Sequence, residues 1–194
     1  MDDKRDRERA VTRLVPGEPL PPYSYVPGRQ PHPESDPAGH RFGHGDREPV
    51  RFEPGNWATS SDYLFGCDLF NHGYYWEAHE AWEAAWLGCG RTGTAATFLK
   101  GLIKLAAAAV KAREGRPDGT KRHALRSAEL LREVRGEAGQ PRYLGLEVDH
   151  LIRFADSVPA SEFSWAATND AVLVVFDLVL LPTSRRGEGP ATDG

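Results

Sequence analysis

The sequence predicts an all-α protein: a compact bundle of about five helices, with a Pro-rich arm before it and a short extended segment after it. Three observations predict this. Between residues 60 and 156 the chain runs in stretches of helical period bounded by Ser, Thr, Gly and Pro. The connections between those stretches are short, which makes neighbouring helices antiparallel. Residues 1–56 hold ten of the fifteen prolines and so break off sharply from the helical stretches.

The elements run in order. Residues 1–13 read as a disordered tail. Residues 14–56 read as an arm docked on the domain, because Tyr23, Tyr25, Val26 and Phe42 supply anchors that a free linker seldom keeps. The helical domain spans 57–182. Ser60 or Ser61 caps a first helix to about residue 71, and Gly73 ends it in a left-handed turn. A second helix takes 74–87, stopped by Gly88-Cys89-Gly90. Thr94 caps a third over 95–114, closed by Gly115 and Pro117. Thr120 opens a fourth to about residue 135, and Pro141 precedes a fifth over 142–156. The fourth is amphipathic: Ala124, Ala128, Leu131 and Val134 share one side, Arg122, Arg126, Glu129 and Glu133 the other. Residues 172–181 are β-branched without a helical period, and are expected as an extended segment packed on the bundle. Residues 183–194 read as a second disordered tail.

Composition narrows the function. The 194 residues suit one domain with a sizeable core. A formal net charge of -4 argues against a general nucleic-acid surface. The longest apolar run, 171–176, is broken by Asp177, so no membrane span is expected. The charged N-terminus has no secretory character, and Cys67 and Cys89 lack metal-type spacing. The expectation is a soluble, cytoplasmic protein with two ordinary thiols.

The most informative stretch is residues 70–86, with three Trp, two Tyr, one Phe, three Glu and two His in seventeen positions. On a helical wheel Trp76, His79, Glu80, Trp82, Glu83 and Trp86 fall within one broad arc. Ala78, Ala81 and Ala85 lie opposite, small enough for a close helix contact. Three chemistries fit. The carboxylates can form a buried polar network that holds the bundle in register, which is the leading reading. Alternatively, Glu80, Glu83 and His79 are catalytic or ligand-binding groups of a hydrolase-type or small-molecule site in a cleft between helices two and three, with Tyr75, Trp76, Trp82, Lys100, Lys104 and Lys111 as binding candidates. In the third, His79 and Glu83 ligate a metal. The His-Glu-x-x-Glu order resembles the zincin helix, but that motif needs a second histidine where Glu83 stands, and Trp76 occupies the glutamate position of the di-iron spacing. No metal and no cofactor is therefore expected.

Lys100, Lys104 and Lys111 line up within roughly 40° on the third helix. Such a stripe is ordinarily the wet side, or else meets Glu80, Glu83 or an anion. His123 falls on the apolar side of the fourth helix and reads as a core histidine. His32, Asp36, His40 and His44 could gather a metal in the arm, though imidazoles in a Pro/Gly loop more often form turns.

Phe70-Asn71 through His79-Glu80 and Trp82-Glu83, followed by Phe98-Leu99-Lys100-Gly101-Leu102-Ile103, is similar to the domain-of-unknown-function 309 family over roughly residues 60–135. That family carries a comparable Tyr/His-Glu-x-x-Trp-Glu helix and a following Gly-Leu-Ile helix. The resemblance implies a compact helical fold and brings no activity, substrate or cofactor. Relatives often have Gln and His where this chain has Lys100, Lys104 and Lys111, which weakens any metal site built on the third helix. The Pro-rich arm is an extension found in only some relatives. Two functions stand at this point: a non-catalytic structural or interaction module, meeting a protein partner or a second copy, and a small-molecule-binding protein or enzyme.

Overall fold

The computed structural model describes residues 11–44, 51–160 and 172–184. The expected tails at 1–10 and 185–194 lie outside the described residues. A 3₁₀ turn, Pro54–Thr59, leads into helix α1, Ser61–Asn71, and helix α2, Tyr75–Gly88. Helices α3, Gly93–Arg113, and α4, Pro117–Ala138, form the long central pair. A two-residue hairpin, β1 (Arg142–Tyr143) and β2 (Leu146–Glu147), precedes helix α5, Val148–Ser157. The fold is all-α, with successive helices packed as neighbours from α1 to α5.

The helix ends obey backbone chemistry. Ser60 caps α1 by accepting the Tyr63 N–H, and Gly73 stands just past the helix at φ +86°, where a side chain would also press on the Leu173 backbone. Thr94 does not cap α3; it lies inside the helix and donates to Glu137 Oε2 at 2.9 Å. Helix α4 starts at Pro117 rather than Thr120, because proline has no N–H to leave unpaired in a first turn. Gly139 closes it in the left-handed region.

The expected fifth helix is shorter than 142–156. Its first residues form the hairpin, which turns on Leu144 (φ 43°) and Gly145 (φ 78°). The pair of left-handed residues gives the turn that a two-residue hairpin requires. A Cβ on Gly145 would sit 2.5 Å from the Trp57 ring, so glycine is needed for space as well as for φ. The carbonyl of Leu144 accepts the buried Tyr63 hydroxyl at 2.7 Å, which holds this strained turn to α1.

Helix α3 forms the centre. Phe98, Leu99, Leu102, Leu105, Ala106 and Ala109 are fully enclosed between α2 and α4. By length and hydropathy Gly93–Arg113 could cross a membrane, a property that unbroken apolar runs do not reveal because Lys100 and Lys104 interrupt them, but its most apolar window is 67% buried by the rest of the fold. Close approach is possible because small residues meet it: Ala78 and Ala85 of α2, Ala124 and Ala128 of α4, all buried. Gly66 of α1 plays the same part for Trp82, since a methyl group there would lie 2.3 Å from the indole nitrogen.

Candidate functional site

The polar residues of α1 and α2 hold two non-helical segments. Asp68, fully buried, accepts the backbone N–H groups of Leu14 and Val15, each at 2.8 Å, and faces the Arg13 guanidinium at 3.5 Å. Glu77, 6% exposed, accepts the Tyr25 N–H at 2.8 Å and the Ser24 hydroxyl at 3.3 Å. Both carboxylates thus satisfy arm donors that have no secondary structure to pair with. On the other side Asn71 pairs with both backbone groups of Leu180, and the Tyr75 hydroxyl accepts the N–H groups of Val175 and Phe176. The C-terminal segment packs Val175, Phe176, Leu178 and Leu180 into the core.

The arm residues serve unequal roles. Val26 is enclosed, and Tyr25 meets the Trp76 ring edge-on at 5.3 Å. Tyr23 braces the arm itself, donating to the Pro31 carbonyl and accepting from His40 N–H. Phe42 is not an anchor: it is 48% exposed. The tail reading fails at Arg13, held by Asp68, and at Thr183, whose N–H donates to the Gly145 carbonyl at 3.0 Å.

Between the arm and the α1–α2 pair lies a cleft of about 760 Å³. The arm supplies Leu20, Pro21, Glu34, His40 and Arg41; α1 supplies Phe65 and Leu69; α2 supplies Trp76, Glu77, Glu80, Glu83 and Ala84. Helical spacing places Trp76, Glu80 and Glu83 on the side of α2 that turns away from the core. Tyr25 and His32 of the arm lie against Trp76, Glu34 and Arg41 stand near Glu80, and Glu83 stays more open. This corrects the expected location: the cleft opens on the arm side of α2, not between helices two and three.

Burial raises the Glu80 carboxyl to about 7, and the neighbouring Glu83 and Glu34 add to the rise while Arg41 opposes it. Among the described residues Glu80 has no hydrogen bond or ion pair. Glu77 is also raised to about 7 by burial, against the arm hydrogen bonds and the charge of Arg113. His79 Nε2 lies 3.5 Å from Glu83 Oε2. Burial lowers the imidazole and Lys104 adds to the effect, while the Glu83 carboxylate opposes it.

His79, Glu80 and Glu83 each bring one ligand atom within 4.8 Å of the others, a set that could hold a metal ion. The positive charge of Lys104 beside His79 opposes a cation at the imidazole.

The other sequence candidates separate. Trp82 is fully enclosed and donates from Nε1 to the Tyr63 carbonyl at 3.2 Å, and Tyr75 is equally enclosed; both are core groups out of reach of a ligand. Of the alanine face of α2, Ala78 and Ala85 are core residues beside Trp82, while Ala81 is part-buried and lines the cleft. Lys100 lies over the Trp86 ring at 5.9 Å, and Lys111 pairs with Glu114 at 2.6 Å. Neither they nor Lys104 line the cleft or pair with Glu80 or Glu83, so the expected lysine–carboxylate contact is not formed; the carboxylates that the arm engages are Asp68 and Glu77. His123 is half-buried rather than in the core, and faces Lys104, Arg122, Lys111 and His79. In the arm, His32 accepts the Glu34 and Ser35 N–H groups and Asp36 accepts that of Ala38, so these residues form turns.

Sequence reasoning missed Asp68 as a site residue and gave Glu77 no part. Asp68 is an acid set directly among Cys67, Leu69 and Phe70 of α1; that placement was the available signal.

The family model for the domain of unknown function (DUF309) matches residues 63–123. No curated protein and no solved structure matches the chain. The matched range contains the acceptors Asp68, Asn71, Tyr75 and Glu77, while the segments they hold lie outside it.

Proposed function

Residues 63–123 of this chain form a DUF309 domain, and on that frame we propose a non-catalytic small-molecule-binding module in which the arm roofs a ligand cleft over α2. Two kinds of carboxylate stand on adjacent helices. Asp68 and Glu77 are enclosed and paired, and they fasten the arm. Glu80 lies on the cleft wall with no side-chain hydrogen bond or ion pair among the described residues, the charge of Arg41 acting on it from a distance. That contrast carries the reading: a carboxylate kept part-buried without a partner costs stability, and such groups cluster where a ligand completes them. The cleft has the size of a drug-sized ligand site, and its wall combines apolar residues with titratable ones.

A fragment screen by thermal shift tests this, together with mapping of hits on amide NMR signals. Hits should move the signals of residues 18–22, 34–41 and 76–87. Ala84→Phe, which fills the cleft, should remove them. Hits that map elsewhere, or persist in Ala84→Phe, would refute the reading.

A further inference from the structure

The charge and shape of the cleft specify more than a generic ligand. We infer that it takes an organic cation: an alkyl ammonium whose nitrogen sits between the Glu80 and Glu83 carboxylates and whose apolar body lies along Trp76, Leu69 and Ala84. This deepens the binding reading and rests on it.

The sign comes from the lining. Glu18, Glu34, Glu77, Glu80 and Glu83 all border the cleft. Among the described residues its one guanidinium, Arg41, lies 3.8 Å from Glu34. Burial, with Arg41 beside it, lowers the His40 imidazole, so that ring adds no charge at neutral pH. An anion entering here would meet more carboxylates than cations, and a cation would relieve the repulsion between Glu80 and Glu83.

The geometry fits an ammonium. One oxygen of Glu80 and one of Glu83 lie within 4.8 Å of each other. A nitrogen about 2.8 Å from each spans up to that distance with its N–H bonds near tetrahedral directions. The Trp76 and Phe65 rings also line the cleft, and an aromatic face attracts an ammonium group. Volume separates this from a bare metal ion, which would occupy only a small part of about 760 Å³. The His79 ring that would complete a metal set does not line the cleft and has Lys104 beside it.

Three probes of equal chain length decide it: hexylamine, hexanol and hexanoate, titrated against the full chain at pH 8 by amide NMR. Hexylamine should bind saturably, about ten-fold tighter than the other two, with shifts at Trp76, Glu80 and Ala84. Glu80→Gln should weaken hexylamine by about ten-fold and leave hexanol unchanged. A cooperative melting transition no lower than the parent's would show that this variant folds, and Ala84→Phe should abolish binding in either background. Hexanol or hexanoate binding the cleft as tightly as hexylamine would overturn the cation and leave the cleft reading standing. No cleft shift with any probe at millimolar concentration would overturn the inference, while fragment hits elsewhere on the cleft wall would keep the binding reading alive. Saturable zinc binding that shifts His79, without hexylamine binding, would also overturn it.

Discussion

Glu77 Oε1 accepts the backbone N–H of Tyr25 at 2.8 Å, joining α2 to a point 52 residues earlier in the chain. Its other oxygen takes the Ser24 hydroxyl. A side chain inside a helix thereby does for the arm what a neighbouring strand does in a sheet. The arm has turns but no ladder, and its buried donors need acceptors.

Glu77→Ala should therefore cost about 1–3 kcal/mol, since it leaves the Tyr25 N–H enclosed and unpaired. Glu77→Gln keeps a carbonyl acceptor at the same place and removes the cost of ionising a buried acid. At pH 8 it should lie within about 1 kcal/mol of the parent. Urea unfolding of both variants checks this, and equal losses would contradict an acceptor role.

Asp68 is the stronger fastening, with two backbone donors and the Arg13 guanidinium on one enclosed carboxylate. Asp68→Asn should cost about 2–3 kcal/mol, because an amide presents donors to donors. Protease cleavage within residues 11–44 should speed up in this variant, and removing residues 1–44 should lower the melting temperature. A melting point unmoved by both changes would make the arm a passive tail.

Gly, Pro and Ser boundaries made the bundle legible, and α4 also shows its buried face in Ala124, Ala128, Leu131 and Val134, whereas α3 is enclosed nearly all round. The Leu144-Gly145 hairpin was not legible: leucine carries no turn signal, and its left-handed φ is imposed by Tyr63 and Trp57. Crowding of Trp and Glu singled out α2, which lines the cleft, but did not tell which acids meet the arm. A wheel centred on the aromatics treats Trp82 and Trp86 as equivalent, whereas Gly66 opens a slot for Trp82 alone. That slot lies on another helix, and no local pattern reports it. The same limit hid the cleft, whose roof comes from residues 18–44.

Glu80 gives a pH signature. Its carboxyl stands at about 7 in the fold against an ordinary 4.5, so the native state binds its proton more tightly than the unfolded chain. The associated stability is fully present below 4.5 and is lost as pH rises through about 7. Glu80→Gln lacks this loss, so its stability relative to the parent should grow from pH 5 to pH 8. Solvent screening of a partly exposed group limits the gain to about 1 kcal/mol. Paired unfolding curves at the two pH values measure it. A difference that shrinks with pH would mean that the ionised carboxylate is paired and stabilising.

The most direct test is a carbon-13 NMR titration of the Glu80 side-chain carboxyl in the intact chain. A part-buried, unpaired acid beside Glu83 and Glu34 under the arm should titrate at about 7, and addition of hexylamine should lower that midpoint. A midpoint near the ordinary 4.5, unmoved by the amine, would place Glu80 in open solvent and contradict the arm-roofed site.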